Sequence, residues 1–102
     1  MNVMEVTVVR IYLTEKEHLL GDLVRDLHDH EKVKGVTVFR GIAGFGKSGM
    51  LHTSKLLDVS FDLPLVVEFF DEPERVRGIL ERLNDRIEPV HIITWPASTN
   101  VG

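Results

Sequence analysis

Eight residues in the middle of the chain, Gly41-Ile42-Ala43-Gly44-Phe45-Gly46-Lys47-Ser48, satisfy the phosphate-binding pattern G-x-x-x-x-G-K-[ST] letter for letter. In a working loop of that kind, backbone N–H groups and the positive end of a helix cradle the phosphates, while the lysine reaches their outer oxygens. Downstream, Leu65-Val66-Val67-Glu68-Phe69-Phe70-Asp71-Glu72 has the look of a strand ending in the acidic pair that would hold magnesium. The helix that the chemistry needs is not supported. Gly49 falls in its would-be first turn, and Met50-Leu51-His52-Thr53-Ser54 carries no apolar helical stripe. A chain of 102 residues also leaves little room for a multi-stranded parallel core with crossover helices. The expectation is a strand running into a glycine loop, not a hydrolase.

The loop still has chemistry of its own. Gly44, Gly46 and Gly49 allow positive φ and close backbone approach, and Lys47, His52 and Lys55 add cationic or protonatable groups with no acid before Asp58. A locally cationic segment in a protein of net charge -4 suits a small anion or an acidic partner surface. Elsewhere, Asp26 and His30 stand four apart at helical spacing, but His28 and His30 point apart and give no three-ligand set with them. Ser48, Ser54 and Ser60 have no partners at triad spacing and read as ordinary loop serines.

Composition narrows the classes. One domain over 1–102 is the natural count, and an acidic balance disfavours nucleic acid as a partner. The absence of cysteine removes disulfides, zinc-thiolate sites and thiol catalysis. No apolar run has the length of a membrane span and the first ten residues lack a signal-peptide pattern, so a cytoplasmic protein without membrane insertion is expected.

The elements that must position the loop follow from periodicity. Met4 to Leu13 reads as a strand with two largely apolar faces, Val6, Val8, Arg10 and Tyr12 on one and Thr7, Val9, Ile11 and Leu13 on the other. Thr14-Glu15-Lys16-Glu17 has capping-box spacing and predicts a helix start. Leu19, Leu20, Leu23, Val24 and Leu27 form its buried stripe, and Gly35 allows the turn out. Gly35 to Ala43 is a second strand, with Val36, Val38, Arg40 and Ile42 on one face. Arg10 and Arg40 each interrupt an apolar face, and Glu68 is their candidate partner, as a structural ion pair at a subunit seam. Leu63 to Phe70 is a third strand, entered through Pro64. Asp71 is expected to cap a second helix with Pro73 in its first turn, buried through Val76, Ile79, Leu80, Leu83 and Ile87. Pro89 ends that helix, Val90 to Trp95 is the last strand, and Pro96 to Gly102 reads as a disordered tail.

The order β-α-β, loop, β-α-β predicts an α+β, ferredoxin-like sandwich: one four-stranded antiparallel sheet with both helices on one face. Val6, Val8, Val38, Ile42, Val66, Phe70, Val90 and Ile92 are expected on the other face, which is then too apolar for water and favours a closed oligomer.

Gly35-Val36-Thr37-Val38, Gly44-Phe45-Gly46, His52-Thr53 and Leu63-Pro64 with Val66 resemble the second strand, long loop and third strand of the PII nitrogen-regulatory signal-transduction proteins. With Arg10-Ile11-Tyr12, Arg40-Gly41-Ile42-Ala43 and Leu65-Val66-Val67-Glu68 added, the chain is similar over nearly its full length to a PII-like family known as a conserved domain of unknown function. The resemblance implies a homotrimer with inward-facing sheets, and a T-loop at 44–62 that senses an effector and docks on an unidentified protein partner. It places Gly44, Phe45 and Gly46 at the loop base, beside the cleft where PII proteins bind adenine nucleotides. The candidate ligand-binding residues are therefore Thr37, Arg40, Gly44, Phe45, Gly46, Lys47, Ser48 and His52. Asn84-Asp85-Arg86-Ile87-Glu88-Pro89 lacks the glycines of the PII phosphate loop, Ser48 replaces the loop-base glutamine, and the loop has no tyrosine for nucleotidylation. The expected function is a non-enzymatic regulator sensing a small anionic effector, a nucleotide among the candidates. The second reading is a metal-responsive trimer like the copper-tolerance relatives of PII, using His52 or His91 with the helix histidines.

Overall fold

The computed structural model describes residues 1–14, 18–45, 52–53 and 63–102, with 52–53 described by backbone alone. Strand β1 (Val3–Thr14) is followed by helix α1 (Leu20–Asp29), strands β2 (Val36–Arg40), β3 (Ala43–Gly44), β4 (His52–Thr53) and β5 (Pro64–Asp71), helix α2 (Pro73–Leu83), a 3-10 turn (Asn84–Arg86), and strand β6 (Ile92–Asn100). The four long strands form one antiparallel sheet in the order β2-β5-β1-β6, and β3 with β4 forms a separate two-stranded ribbon. That is the ferredoxin-like order, with β5 and β1 at the centre, each paired on both sides, and β2 and β6 at the edges.

From Val9 to Leu13 and from Leu65 to Asp71 the odd-numbered residues of β1 and β5 face the helices, while Val6, expected on the open face, is buried. Val9, Ile11 and Leu13 stand opposite Phe69, Val67 and Leu65, and all six are buried with Leu23 and Leu27 of α1 and Val76, Ile79 and Leu83 of α2. Both helices therefore cover one face, each through the stripe its spacing predicts. The register sets the phase of the remaining strands. Val36 and Val38 stand opposite Phe69 and Val67, and Ile92 stands opposite Ile11, which puts Val38 and Ile92 on the helix side, not the open one. The open side instead holds Phe39, Ile93 and Trp95, in register with Val66, Arg10 and Val8. Ile42 and Val90 lie outside the four-stranded sheet.

Several expected boundaries move. Thr14 ends β1 opposite Pro64, and α1 begins at Leu20 after Leu19, with no side-chain cap; Thr14 is taken up by the strand ladder. The left-handed residue after α1 is Lys32 (φ 53), not Gly35. The cap of α2 is Glu72, with Pro73 as the first helical residue, while Asp71 finishes β5 and its Oδ1 accepts the Glu72 N–H at 2.8 Å. The expected tail is a strand. Ala97 to Asn100 pair with Val3 to Val6, and Val101 N–H donates to the Asn2 carbonyl at 2.9 Å. Pro96 is tolerated because β6 is an edge strand, where a missing N–H need not break the ladder.

Ion pairs tie the end of α1 to α2. Arg86 meets Asp26 at 2.5 Å, Arg82 grips both oxygens of Glu31 at 2.9 and 2.7 Å, and Arg75 donates to the Glu31 carbonyl. Arg86, then His30, holds the Asp26 carboxyl below its ordinary value, and Arg82 does the same for Glu31. No helix among the described residues is long and apolar enough to cross a membrane.

Two outcomes are expected. Carboxyls lowered in the folded state lend stability that is full above their unfolded value, about 4, and lost as pH falls through the folded value. Urea midpoints should thus drop below about pH 4, and the Arg82→Gln/Arg86→Gln variant should show a flatter decline. Val90 holds φ 67 while almost fully exposed, a conformation that costs a β-branched residue on the order of 1–2 kcal/mol. Val90→Gly should therefore raise unfolding stability by about 1 kcal/mol, with a fall in stability counting against that conformation.

Candidate functional site

The candidate site sits at the end of the sheet where β2 and β1 finish and β5 and β6 begin. Beyond Arg40, opposite Leu65, the β2–β5 ladder gains one further bond, Gly41 N–H to the Pro64 carbonyl at 2.7 Å. The chain then bends back over Pro64. A Cβ on Gly41 would lie 2.6 Å from Pro64 Cγ, and one on Gly44 3.1 Å from the same atom. This packing excludes a side chain at Gly41 and crowds one at Gly44, with no phosphate needed to explain the glycines. Pro64 is thus the floor of the loop base, fixed between buried Leu63 and Leu65.

From that floor β3 pairs with β4, Ala43 with Thr53 and Gly44 with His52. The pairing leaves only residues 45–51 to connect the two strands. A phosphate-binding P-loop would instead send the chain after its Lys and Ser into a helix leading away from the sheet, which the return at His52 prevents. The motif's letters are present without its architecture.

The predicted site residues are only partly brought together. Gly44 and exposed Phe45 lie at the loop base, with exposed Ile42 beside them. His52 contributes the backbone of β4, and Gly46, Lys47 and Ser48 lie outside the described residues. Thr37 and Arg40 are on opposite faces of β2: Thr37 stands opposite Glu68 on the open side, Arg40 opposite Leu65 on the helix side. That register also corrects the proposed Arg40–Glu68 pair. Glu68 belongs to Arg10, whose Nε and Nη2 donate to its Oε1 at 3.1 and 2.6 Å.

Tyr12 N–H donates to the His91 carbonyl at 2.9 Å, bringing the turn before β6 to the same end of the sheet. The His91 ring Nδ1 lies 2.9 Å from the Pro89 carbonyl, to which it can only donate, which leaves Nε2 as the ring's other polar atom. Where PII proteins have a glycine-rich phosphate loop, this chain has a 3-10 turn, a buried Ile87 in the core cluster, and Pro89. Among the described residues no three His, Asp or Glu side chains gather as a metal site; His28 and His30 each meet one carboxylate, Asp29 and Asp26.

Sequence reasoning missed two features. The role of Pro64 as a floor is visible only once Gly41 and Gly44 are folded onto it. Trp95 was assigned to the last strand, but not to Arg10, whose guanidinium lies 5.4 Å from its ring centroid. Glu68, and after it Tyr12, push the Arg10 guanidinium above its ordinary value.

With this geometry in hand, the class is that of a PII-like fold. The chain is similar to CPII, a nitrogen regulatory PII-like protein from Thiomonas intermedia K12. It resembles CPII bound to ADP and bicarbonate at 22% identity and a TM-score of 0.66, covering 99% of this chain and 92% of that one. It resembles CPII bound to ADP, AMP and bicarbonate at 19% identity and a TM-score of 0.65, covering both chains in full. A UPF0166 protein of Aquifex aeolicus (strain VF5) is 34% identical over 90 residues, 84% of this chain and 86% of its own. Residues 6–99 match the family model DUF190, described as an uncharacterized ACR, and the chain belongs to this PII-like family.

The packing on Pro64 makes a direct prediction. Gly41→Ala should destabilise the protein by about 1–3 kcal/mol, the usual cost of forcing an extra methyl into a filled space. Adding Pro64→Ala should recover part of that loss in a double-mutant cycle followed by urea unfolding, whereas strict additivity would count against the contact.

Proposed function

We propose that this chain is a non-enzymatic, PII-like regulator that binds a small anionic effector, with an adenine nucleotide the leading candidate. Binding is passed to a partner protein through the connection at 44–62. Residues 1–102 act as one cytoplasmic domain in a homotrimer whose helix-free sheet faces turn inward.

The observation that carries the reading is the loop base. A two-strand root seated on Pro64 brings Gly44 and His52 together as strand partners. Lys47 follows Gly44 by three residues in sequence. An anion held there would gain glycine N–H groups, the Lys47 ammonium and His52 at once, and charge-assisted contacts of this kind order a segment. The likeness to CPII supports the choice of effector, since ADP and bicarbonate are both anions. His91, with its free Nε2, is a second polar group at the same sheet end. The missing phosphate-loop glycines argue for an effector held from the loop base more than from the turn before β6.

Calorimetric titration with ADP, AMP, bicarbonate and 2-oxoglutarate tests the reading. At least one should bind with a single class of site, and Lys47→Ala should weaken it about tenfold or more, the value of one charge-assisted contact. If none binds, the effector reading fails; if one binds and Lys47→Ala leaves its affinity unchanged, the anion is held elsewhere.

A further inference from the structure

We infer that the Arg10–Glu68 pair, at the centre of the helix-free sheet face, selects the register and copy number of the assembly. The inference rests on the homo-oligomer in the reading above and adds the residues that specify it.

The face is built from four strands. Val8, Tyr12, Val66, Phe70, Phe39 and Ile93 supply its apolar surface by register, and Phe39 and Ile93 remain 48% and 50% exposed in the single chain. Four strands at about 4.8 Å and some seven residues at about 3.3 Å give a projection of roughly 450 Å², the upper end of what a lone soluble chain leaves open.

Charge decides what covers it. Arg10 and Glu68 are the face's charged pair, and they neutralise each other at 2.6 Å in a protein of net charge -4. A face without net charge offers no attraction to an acidic or basic partner, yet it is a surface on which two acidic copies can meet without repulsion. A second copy is the occupant that fits.

The pair itself is set before assembly. Both donors of the Arg10 fork go to Glu68 Oε1 and the guanidinium lies over Trp95, while the two side chains keep 37% and 28% of their surface open. A guanidinium has five N–H donors; Glu68 engages two of its nitrogens and Tyr12 is a further side-chain partner, which still leaves donors over. A covering copy must bring acceptors to the rest, and most registers of an apolar face would bury them unmet. Polar groups set in apolar seams specify register and stoichiometry in this way, at a cost in stability.

Light scattering and native mass spectrometry on the full chain test this. Wild type should show a single stoichiometry. Arg10→Met and Glu68→Met, each leaving one charge in an apolar seam, should assemble at least tenfold more weakly while keeping their far-UV circular dichroism. The Arg10→Met/Glu68→Met variant should assemble again but as a mixture of stoichiometries. If either single variant fails to fold, Arg10→Lys, which keeps the charge without the fork, should show the same mixture. Single variants that assemble like wild type would overturn the role of the pair and leave the homo-oligomer standing; a monomeric wild type at about 100 µM would overturn both, whatever the effector titrations show.

Discussion

Two short helices bury Val9, Ile11 and Leu13 of β1 and Leu65, Val67 and Phe69 of β5, and leave the side chains between them on the other face of the sheet. This one-sided cover decides the rest of the molecule. It makes Val9, Ile11, Val67 and Phe69 core and leaves Val8, Val66 and Phe70 on the opposite surface with Arg10, although the apolar residues of the two sets look alike in sequence. A strand apolar on both sides normally needs cover on both, and the half-sandwich of a single chain covers only one. The ion pair in the open face belongs to the same logic, since a charged pair survives among apolar neighbours only when it is internally matched.

Much of the architecture was legible in the residues. The stripes Leu23–Leu27 and Val76–Ile79–Leu83 have helical spacing, and β1 and β5 alternate cleanly, so element order and fold class follow from periodicity. What periodicity cannot supply is phase between strands. Val38 and Ile92 look interchangeable with Phe39 and Ile93 until the register with Val67 and Ile11 is known, because a one-residue shift exchanges the faces. The end of β6 was hidden for another reason. Pro96, Ser98 and Asn100 read as a polar tail, but the ladder to Val3–Val6 is made by backbone, to which side-chain polarity is indifferent on an edge strand.

The candidate site shows the reverse case, a motif complete in letters and absent in structure. Gly41 and Gly44 fit the phosphate-binding pattern, yet each has a sufficient cause in the close approach of Pro64. Glycine spacing reports where a chain must pass close to something, without saying whether that something is a phosphate or a proline ring. The β3–β4 pairing settles which, since a ladder that returns within residues 45–51 is not the start of a long helix.

The same proline ties the loop base to the core. Leu63 and Leu65 are buried on either side of Pro64, and Leu65 lies in the core cluster with Val67 and Phe69. The loop base therefore rests on a strand that cannot move without disturbing the core, while Ile42 and Phe45 above it are open. A ligand that orders the loop would change the segment beyond Gly44 and leave the sheet as it is, because packed interiors resist small displacements that a surface connection absorbs. On the open sheet face, Arg10 and Glu68 lie only a few strand positions from Tyr12 and the His91 turn, so the loop end of the sheet and the centre of that face share the same strands.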